Sequence, residues 1–430
     1  MIINFSVQNF GSIKNKQTLS FDADKSDKLS DYYVMSVNGH RLLKLGLIFG
    51  ANASGKTTIL KALDFLRQLV LHPIDNKTSE LNFEPFLFDE ITANENSIIE
   101  LDFVDKIRYQ YYIEFNKSAI VSEELYRYVG SSKRKSKVFS RTTDVDMQFA
   151  KIKIGDGIKI EKKQVAALET NTLWNNTVLG GYLKTNIQFE DLQNTVNWFS
   201  NYLRPTIMPN SNLEEFVTDG LHDNNIDKEA VVDLLKRADL YISDIRTKKI
   251  ETEIPDELID ILKNIQAQKS DKAQIDKKVS VSLVEFEHTV NDKKFYLLLE
   301  QESAGTRRYY SFAGLLVNII SESGVLLIDE MESSLHPDLF EHFLLMFLKN
   351  SNGSQIIATT HFREFLNDRS LYRDDVIWFT NKDNDCATEL YSLADFDSSV
   401  IRDSSNILNA YKSGRLGATP NTGDLYIEKD

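Results

Sequence analysis

Cysteine is almost missing from this 430-residue chain: Cys386 is the single one. One thiol excludes an intrachain disulfide and leaves no thiolate cluster for a structural zinc, which points to a reducing compartment. Proline and glycine are also scarce, 7 and 18 residues, so collagen-like and low-complexity classes are excluded, and the 42% hydrophobic and 27% charged content is that of a packed globular chain. No stretch reaches the roughly 18 consecutive apolar residues of a membrane span. Met1 to Val7 alternates like a strand, without the basic start and apolar run of a signal peptide, so the expected location is cytoplasmic with no membrane partner. Positive charge is in deficit, 50 Lys and Arg against 64 Asp and Glu, a formal charge of -14. The whole-molecule field therefore repels phosphate backbones, although a local basic groove stays compatible with it.

The length predicts two units, or one large unit carrying an insertion. Residues 1–165 read as strands with one early helix over Lys56 to Leu71, and the β-branched and aromatic runs from Ile98 to Tyr128 predict an antiparallel meander. Residues 166–279 change to helical periodicity, with helices expected at Phe189 to Leu203, Asn212 to Leu221, Lys228 to Ile245 and Pro255 to Gln268. These repeats are too short for a long coiled-coil arm. Residues 280–430 return to strands alternating with helices, including the wholly apolar Val325 to Ile328, which predicts a parallel sheet covered on both faces. The expected fold is α/β, one head built from both ends of the chain and interrupted by a helical insertion.

Leu45 to Phe49 is an apolar strand leading into Gly50-Ala51-Asn52-Ala53-Ser54-Gly55-Lys56-Thr57, and Thr58 onward continues as helix. This is a complete phosphate-binding loop in its strand-loop-helix setting. Gly50 and Gly55 permit the tight turn that aims the N–H groups of Asn52, Ala53, Ser54 and their successors at phosphate oxygens, and the helix start adds its dipole. Lys56 is the candidate partner of the β- and γ-phosphates, Thr57 a Mg²⁺ ligand, and Thr58 a further phosphate contact. Downstream, the strand ending in Asp329-Glu330 supplies two carboxylates where open α/β sheets present their ligands. Asp329 suits the Mg²⁺ shell. Glu330 suits a general base that polarises water beside the γ-phosphate without ligating the metal.

With these residues in hand, Glu302-Ser303-Ala304-Gly305-Thr306-Arg307 resembles the degenerate ABC signature of SMC-like and OLD-like ATPases. Glu332 to Pro337 resembles their D-loop, and Gln355 to His361 their strand ending in a switch histidine. Val7 to Ile13 and Tyr411 to Pro420 are similar to stretches of the same group. The resemblance covers both ends of the chain and not its middle. It implies an ABC-ATPase head with a β-rich lobe and a RecA-like parallel-sheet lobe. It also implies that Ser303 and Gly305 of one copy reach the γ-phosphate held by another, so that ATP and Mg²⁺ join a homo-oligomer, and that His361 senses that phosphate. The glutamine such proteins place after the first helix has no clear counterpart; the loop Asn82 to Asp89 is the expected place.

OLD-like nucleases add a TOPRIM domain, for which the 69 residues after His361 are too few. Asp374-Asp375, Asp383 and Asp385 read as loop carboxylates rather than a metal site. TOPRIM-less heads resemble ATPase subunits of bacterial two-gene phage-defence systems, PARIS-like and AbiL-like among them. This likeness implies a separate effector or toxin protein and a phage product as trigger. The alternative is an SMC-like clamp that binds DNA, whose marks are a long coiled-coil arm and a basic groove. The basic run Ser132 to Lys137 reads as a solvated hairpin, and Arg307 and Arg308 as contacts to nucleotide or to a facing head.

Overall fold

The computed structural model describes residues 1–129, 134–253, 278–396 and 406–419. The chain forms two compact units, the first comprising Met1–Pro209, Glu322–Ser333 and Leu348–Asp430, the second Asn210–Ser321 and Ser334–Phe347.

The first unit is built on two large sheets. One is a seven-stranded antiparallel sheet in the order Phe149–Ile154, Arg134–Asp144, Ile120–Val129, Arg108–Phe115, Ser97–Val104, Ile2–Gln8, Gln17–Ser20. Arg108–Phe115 shows why it forms: Tyr109, Tyr111, Ile113 and Phe115 alternate inward while their neighbours are half-exposed, the two-residue period of a sheet with one wet face. The other is a six-stranded sheet in the order Leu203–Ile207, Val325–Ile328, Gln355–Thr360, Leu45–Gly50, Ile377–Lys382, Thr388–Ser392. All its pairings are parallel except the last, which is antiparallel. Leu45–Gly50 and Gln355–Thr360 are buried at every position, which follows from cover on both faces.

Helix Lys56–Leu71 packs against Ile2–Gln8 of the first sheet and against Leu45–Gly50, Gln355–Thr360 and Leu203–Ile207 of the second. Ile59, Leu60, Leu63, Leu66 and Val70 fall on its buried stripe at steps of one, three and four residues; full burial of each stabilises the fold by about 1.5–3 kcal/mol. The helix stops at Leu71, just before Pro73, since the residue preceding a proline is pushed out of helical backbone. A buried glutamine ties the two sheets. Gln355 Oε1 accepts from the Ile2 N–H at 2.6 Å, and its Nε2 donates to the carbonyls of Ile2 and Leu43, both at 3.0 Å.

The second unit holds helices Leu213–His222, Lys228–Arg237 and Ala304–Ser321 and the antiparallel sheet Ile242–Glu253, Lys278–Val290, Lys293–Leu298. Phe286 meets Tyr310 edge-on at 5.1 Å, and Phe312 meets Phe343 at the same separation. A Cβ on Gly314 would lie 2.3 Å from Val217, so only glycine allows the two helices to approach this closely.

The expected helix over Lys228 to Ile245 ends instead at Arg237. Asp239 and Tyr241 take left-handed backbone angles, φ 56° each, that break it, and the β-branched Ile242, Ile245, Thr247 and Ile250 enter a strand paired with Lys278–Val290. The helix expected over Phe189 to Leu203 spans Glu190–Asn201, and Leu203–Ile207 is a strand of the parallel sheet. The stretch 166–279 is thus mixed in character, and the helix expected at Pro255 to Gln268 lies outside the described residues. Ser132 and Lys133 also lie outside them. Of the rest of that basic run, Lys137 pairs with Glu124 at 2.8 Å and Lys135 sits 4.0 Å over the Tyr126 ring.

Candidate nucleotide site

The loop 51–55 follows the fully buried strand Leu45–Gly50 and opens helix Lys56–Leu71. Two residues in it have left-handed backbone, Ala53 at φ 61° and Gly55 at φ 101°. Gly55 is doubly required, because a Cβ there would lie 2.0 Å from Thr388 Oγ1. A hydroxyl lattice holds the loop from outside: Ser54 Oγ and Thr380 Oγ1 are 2.6 Å apart, Thr388 Oγ1 donates to the Ser54 carbonyl at 2.9 Å, and Ser12 Oγ bridges Thr388 and Thr58 at 2.8 and 3.0 Å.

Lys56 is buried, and its Nζ donates to the loop's own carbonyls at Gly50 (2.9 Å) and Ala51 (3.0 Å). Burial lowers its pKa, against the opposing fields of Asp329, Glu332 and Glu330. The Thr57 hydroxyl donates to both carboxylate oxygens of Asp329, at 3.0 and 3.1 Å. Asp329 is buried at the end of its strand and also accepts from Thr359 Oγ1 at 2.6 Å, while Thr359 Oγ1 accepts from the Glu330 N–H at 2.9 Å. Glu330 is exposed and left-handed, φ 45°. His361, exposed at the end of the adjacent strand, donates its backbone N–H to Glu332 Oε1 at 2.7 Å. Although the residue as a whole is exposed, partial enclosure of the imidazole by the site first, and then the Lys56 ammonium, lower its pKa.

The structure therefore brings together Gly50, Asn52, Ala53, Ser54, Gly55, Lys56, Thr57, Thr58, Asp329, Glu330 and His361 within the first unit. Ser303 and Gly305 belong to the second. There Ser303 caps helix Ala304–Ser321: its Oγ accepts from the Thr306 N–H at 3.0 Å, and no acidic side chain occupies the helix's first turn. A Cβ on Gly305 would lie 3.4 Å from the Ser334 carbonyl of the D-loop-like segment. Arg307 is committed to a two-point pair with Glu214 at 2.9 and 2.8 Å, and Arg308 is buried over Phe312, 4.6 Å from its ring centre.

The loop Asn82 to Asp89 lies beside the start of helix Lys56–Leu71: Asn82 and Glu84 line a cavity with Gly11, Thr58 and Lys61, Glu84 O accepts from the Gly11 N–H at 2.7 Å, and the Phe86 N–H donates to Asn9 Oδ1 at 2.9 Å. The Asp329 N–H donates to the carbonyl of Ile207, the last residue of Leu203–Ile207, at 2.8 Å. Asp374 and Asp375 pair with Arg369 and Arg373, and Asp383 caps its own turn through the N–H groups of Asp385 and Ala387. Sequence reasoning overlooked Thr359, Thr380, Thr388 and Glu332. Thr359 and Glu332 lie within the stretches that resemble the switch strand and the D-loop, whereas Thr380 and Thr388 carried no signal.

The donor set fits Mg²⁺ and a polyphosphate: one hydroxyl and one carboxylate converge beside a buried ammonium, leaving further positions to phosphate oxygens and water, as this ion prefers. Among the described residues no group of three or more His, Cys, Asp or Glu forms a metal site from protein alone, and no helix is long and apolar enough to cross a membrane.

No curated protein matches the chain. Among solved structures it is similar to the SMC head domain from Thermotoga maritima, at 11% identity and a TM-score of 0.38 over 91% of this chain and 98% of that one. It is similar to an SMC head bound to the C-terminal winged-helix domain of ScpA, at 12% and 0.39 over 91% and 97%. A Pyrococcus furiosus SMC head with an extended coiled coil, bound to the C-terminal domain of ScpA, matches at 12% and 0.34 over 96% and 98%. The AAA domain family described as putative AbiEii toxin, Type IV TA system, matches residues 47–149 and 210–366, more than half of the sequence, and it is to this family that the chain belongs.

Proposed function

We propose that the chain binds Mg-ATP at the 50–58 loop and hydrolyses it, and that ATP joins two or more copies into a closed assembly. The convergence of the Thr57 hydroxyl on the Asp329 carboxylate, beside buried Lys56, carries this reading. Lys56 and the loop N–H groups bind the β- and γ-phosphates, and Thr57 and Asp329 hold the Mg²⁺. Bound Mg²⁺ offsets phosphate charge as it develops. Thr359 fixes the Asp329 carboxylate and the Glu330 backbone together, which leaves the exposed Glu330 carboxylate to orient water and take its proton. His361, with its pKa lowered, is neutral near pH 7 and able to hydrogen-bond a γ-phosphate or the water. Ser303 and Gly305, at the dipole-positive start of an 18-residue helix without first-turn acids, serve the nucleotide of another copy.

In the cell this makes a nucleotide-gated switch. The family's description, an AAA domain with a putative toxin of a Type IV TA system, supports a place in a system of that type; we further assign this chain the role of sensor or ATPase component of a phage-defence system that acts on a separate effector.

The test is the molar mass of Glu330→Gln by light scattering with and without Mg-ATP, starting from the 49.3 kDa chain. Turnover falling by about 10²–10⁴, together with an ATP-dependent rise to twice the mass or more, supports the reading. Normal hydrolysis by Glu330→Gln removes it from the general-base role, an unchanged mass removes the ATP-joined assembly, and tight ATP-dependent retention of double-stranded DNA replaces the switch with a DNA clamp.

A further inference from the structure

The parallel ladder between Val325–Ile328 and Gln355–Thr360 ends at the pair Ile328 and Ala358. Beyond it the first strand leaves the sheet: Glu330 turns left-handed, and the 330–333 turn closes with the Ser333 N–H on the Glu330 carbonyl at 2.9 Å. The second strand runs on to His361, and there its N–H is met by a side chain instead of a ladder carbonyl. Glu332 Oε1 accepts it at 2.7 Å. The turn is thereby fastened to the strand end at three points, the others being the Glu330 N–H on Thr359 Oγ1 at 2.9 Å and the Met331 N–H on the Thr359 carbonyl at 3.0 Å.

One acceptor is all that this fastening needs, yet the side chain is a carboxylate. Its other oxygen, Oε2, is buried and has no hydrogen-bond partner among the described residues. Such an oxygen, placed close to Asp329 and Glu330, works against the stability of the turn, so a structural role alone does not account for the charge. The imidazole of His361 gives it a reason. Lys56 of the phosphate loop, Glu332 and Glu330 of the turn and Asp329 of the neighbouring strand are the charged groups whose fields reach that ring. Enclosure and the Lys56 ammonium lower the imidazole pKa, and Glu332, ahead of Glu330 and Asp329, raises it. The carboxylate that holds the backbone of His361 is thus also the one that acts most strongly on its ring.

We infer that Glu332 is the positioning residue of His361: one carboxylate oxygen fixes the strand end by its N–H, and the negative charge stands close to the ring, so that the imidazole is held near Lys56. The inference rests on the ATPase reading given above and names the residue that keeps its histidine in place. It gives Glu332 no contact with nucleotide, water or metal, which separates its role from that of Glu330.

Glu332→Gln keeps an acceptor for the His361 N–H and removes the charge, whereas Glu332→Ala removes both. In Glu332→Ala the kcat for ATP should fall about 10–100-fold while KM changes by less than about threefold. Glu332→Gln should restore kcat to within about threefold at pH ~8, where the ring is neutral in both proteins. The His361 ring resonances, followed by NMR and assigned with His361→Gln, should titrate at lower pH in Glu332→Gln than in the wild type, because a group that raises the imidazole pKa is gone. In the His361→Gln background, Glu332→Ala should lower kcat by less than about twofold more, since its effect passes through the ring. Wild-type kcat in Glu332→Ala, a Glu332→Gln as slow as Glu332→Ala, an unmoved His361 titration, or a full further loss in the His361→Gln background would each overturn the assignment. The titration needs no nucleotide and decides where the carboxylate stands whether or not ATP is hydrolysed, so failure here and failure of the ATPase reading are separable.

Discussion

At the scale of single residues, Thr359 acts on two catalytic candidates at once, accepting from the Glu330 N–H and donating to Asp329. Groups that orient a metal ligand change affinity or activity by about 10–100-fold when removed. Thr359→Val should therefore raise the Mg²⁺ concentration needed for half-maximal ATPase activity by about that factor, and Thr359→Ser should restore it; equal Mg²⁺ curves for all three proteins would show that Asp329 needs no such support. His361 gives a pH signature. Its folded pKa is depressed below the ordinary value, so the neutral form is favoured in the native state. Any stability tied to this shift is complete above the unfolded pKa and is lost as pH falls through the folded one. The same neutral ring serves the site at pH 7, so the acid limb of the ATPase profile attributable to His361 should lie below pH ~6.5 and vanish in His361→Gln. A limb that persists unaltered in that variant assigns it to another group.

Among elements, the 50–58 loop and the joint between the two sheets are both tightly constrained. Gly55→Ala combines a left-handed backbone with a Cβ 2.0 Å from Thr388 Oγ1. Strain and overpacking together should cost about 2–4 kcal/mol, visible as a lower urea midpoint, and nucleotide affinity should fall with it. Gln355→Leu leaves the Ile2 N–H and the Ile2 and Leu43 carbonyls without their side-chain partner in a buried joint. The expected loss is about 2–4 kcal/mol with an unchanged m-value, and a shift below about 0.5 kcal/mol would mean that other groups carry the joint.

For the molecule as a whole, the charge of -14 opposes its self-association. Salt shortens the screening length from about 14 Å at 50 mM to about 6 Å at 300 mM. ATP-dependent association of Glu330→Gln should therefore tighten with added salt over that range, as followed by light scattering; weakening instead would reveal complementary charges across the interface. The local form of the 50–58 loop and of the strand ending in Asp329 was legible in the sequence alone, because each is a run of neighbouring residues whose composition and period set that form. Leu45 to Thr58 and Val325 to Glu330 are such runs. Left-handed angles at Asp239 and Tyr241 were not legible, and with them the break between helix Lys228–Arg237 and the following strand, since helical and extended patterns overlap there until Lys278–Val290 supplies a partner. Leu203–Ile207 became a strand for the same reason, through pairing with Val325–Ile328. Only tertiary structure decided the company that site residues keep: Thr57 and Asp329 are 272 positions apart, and Ser54 and Thr380 are 326. Their contacts come from the order in which parallel strands assemble, and no local period encodes that order.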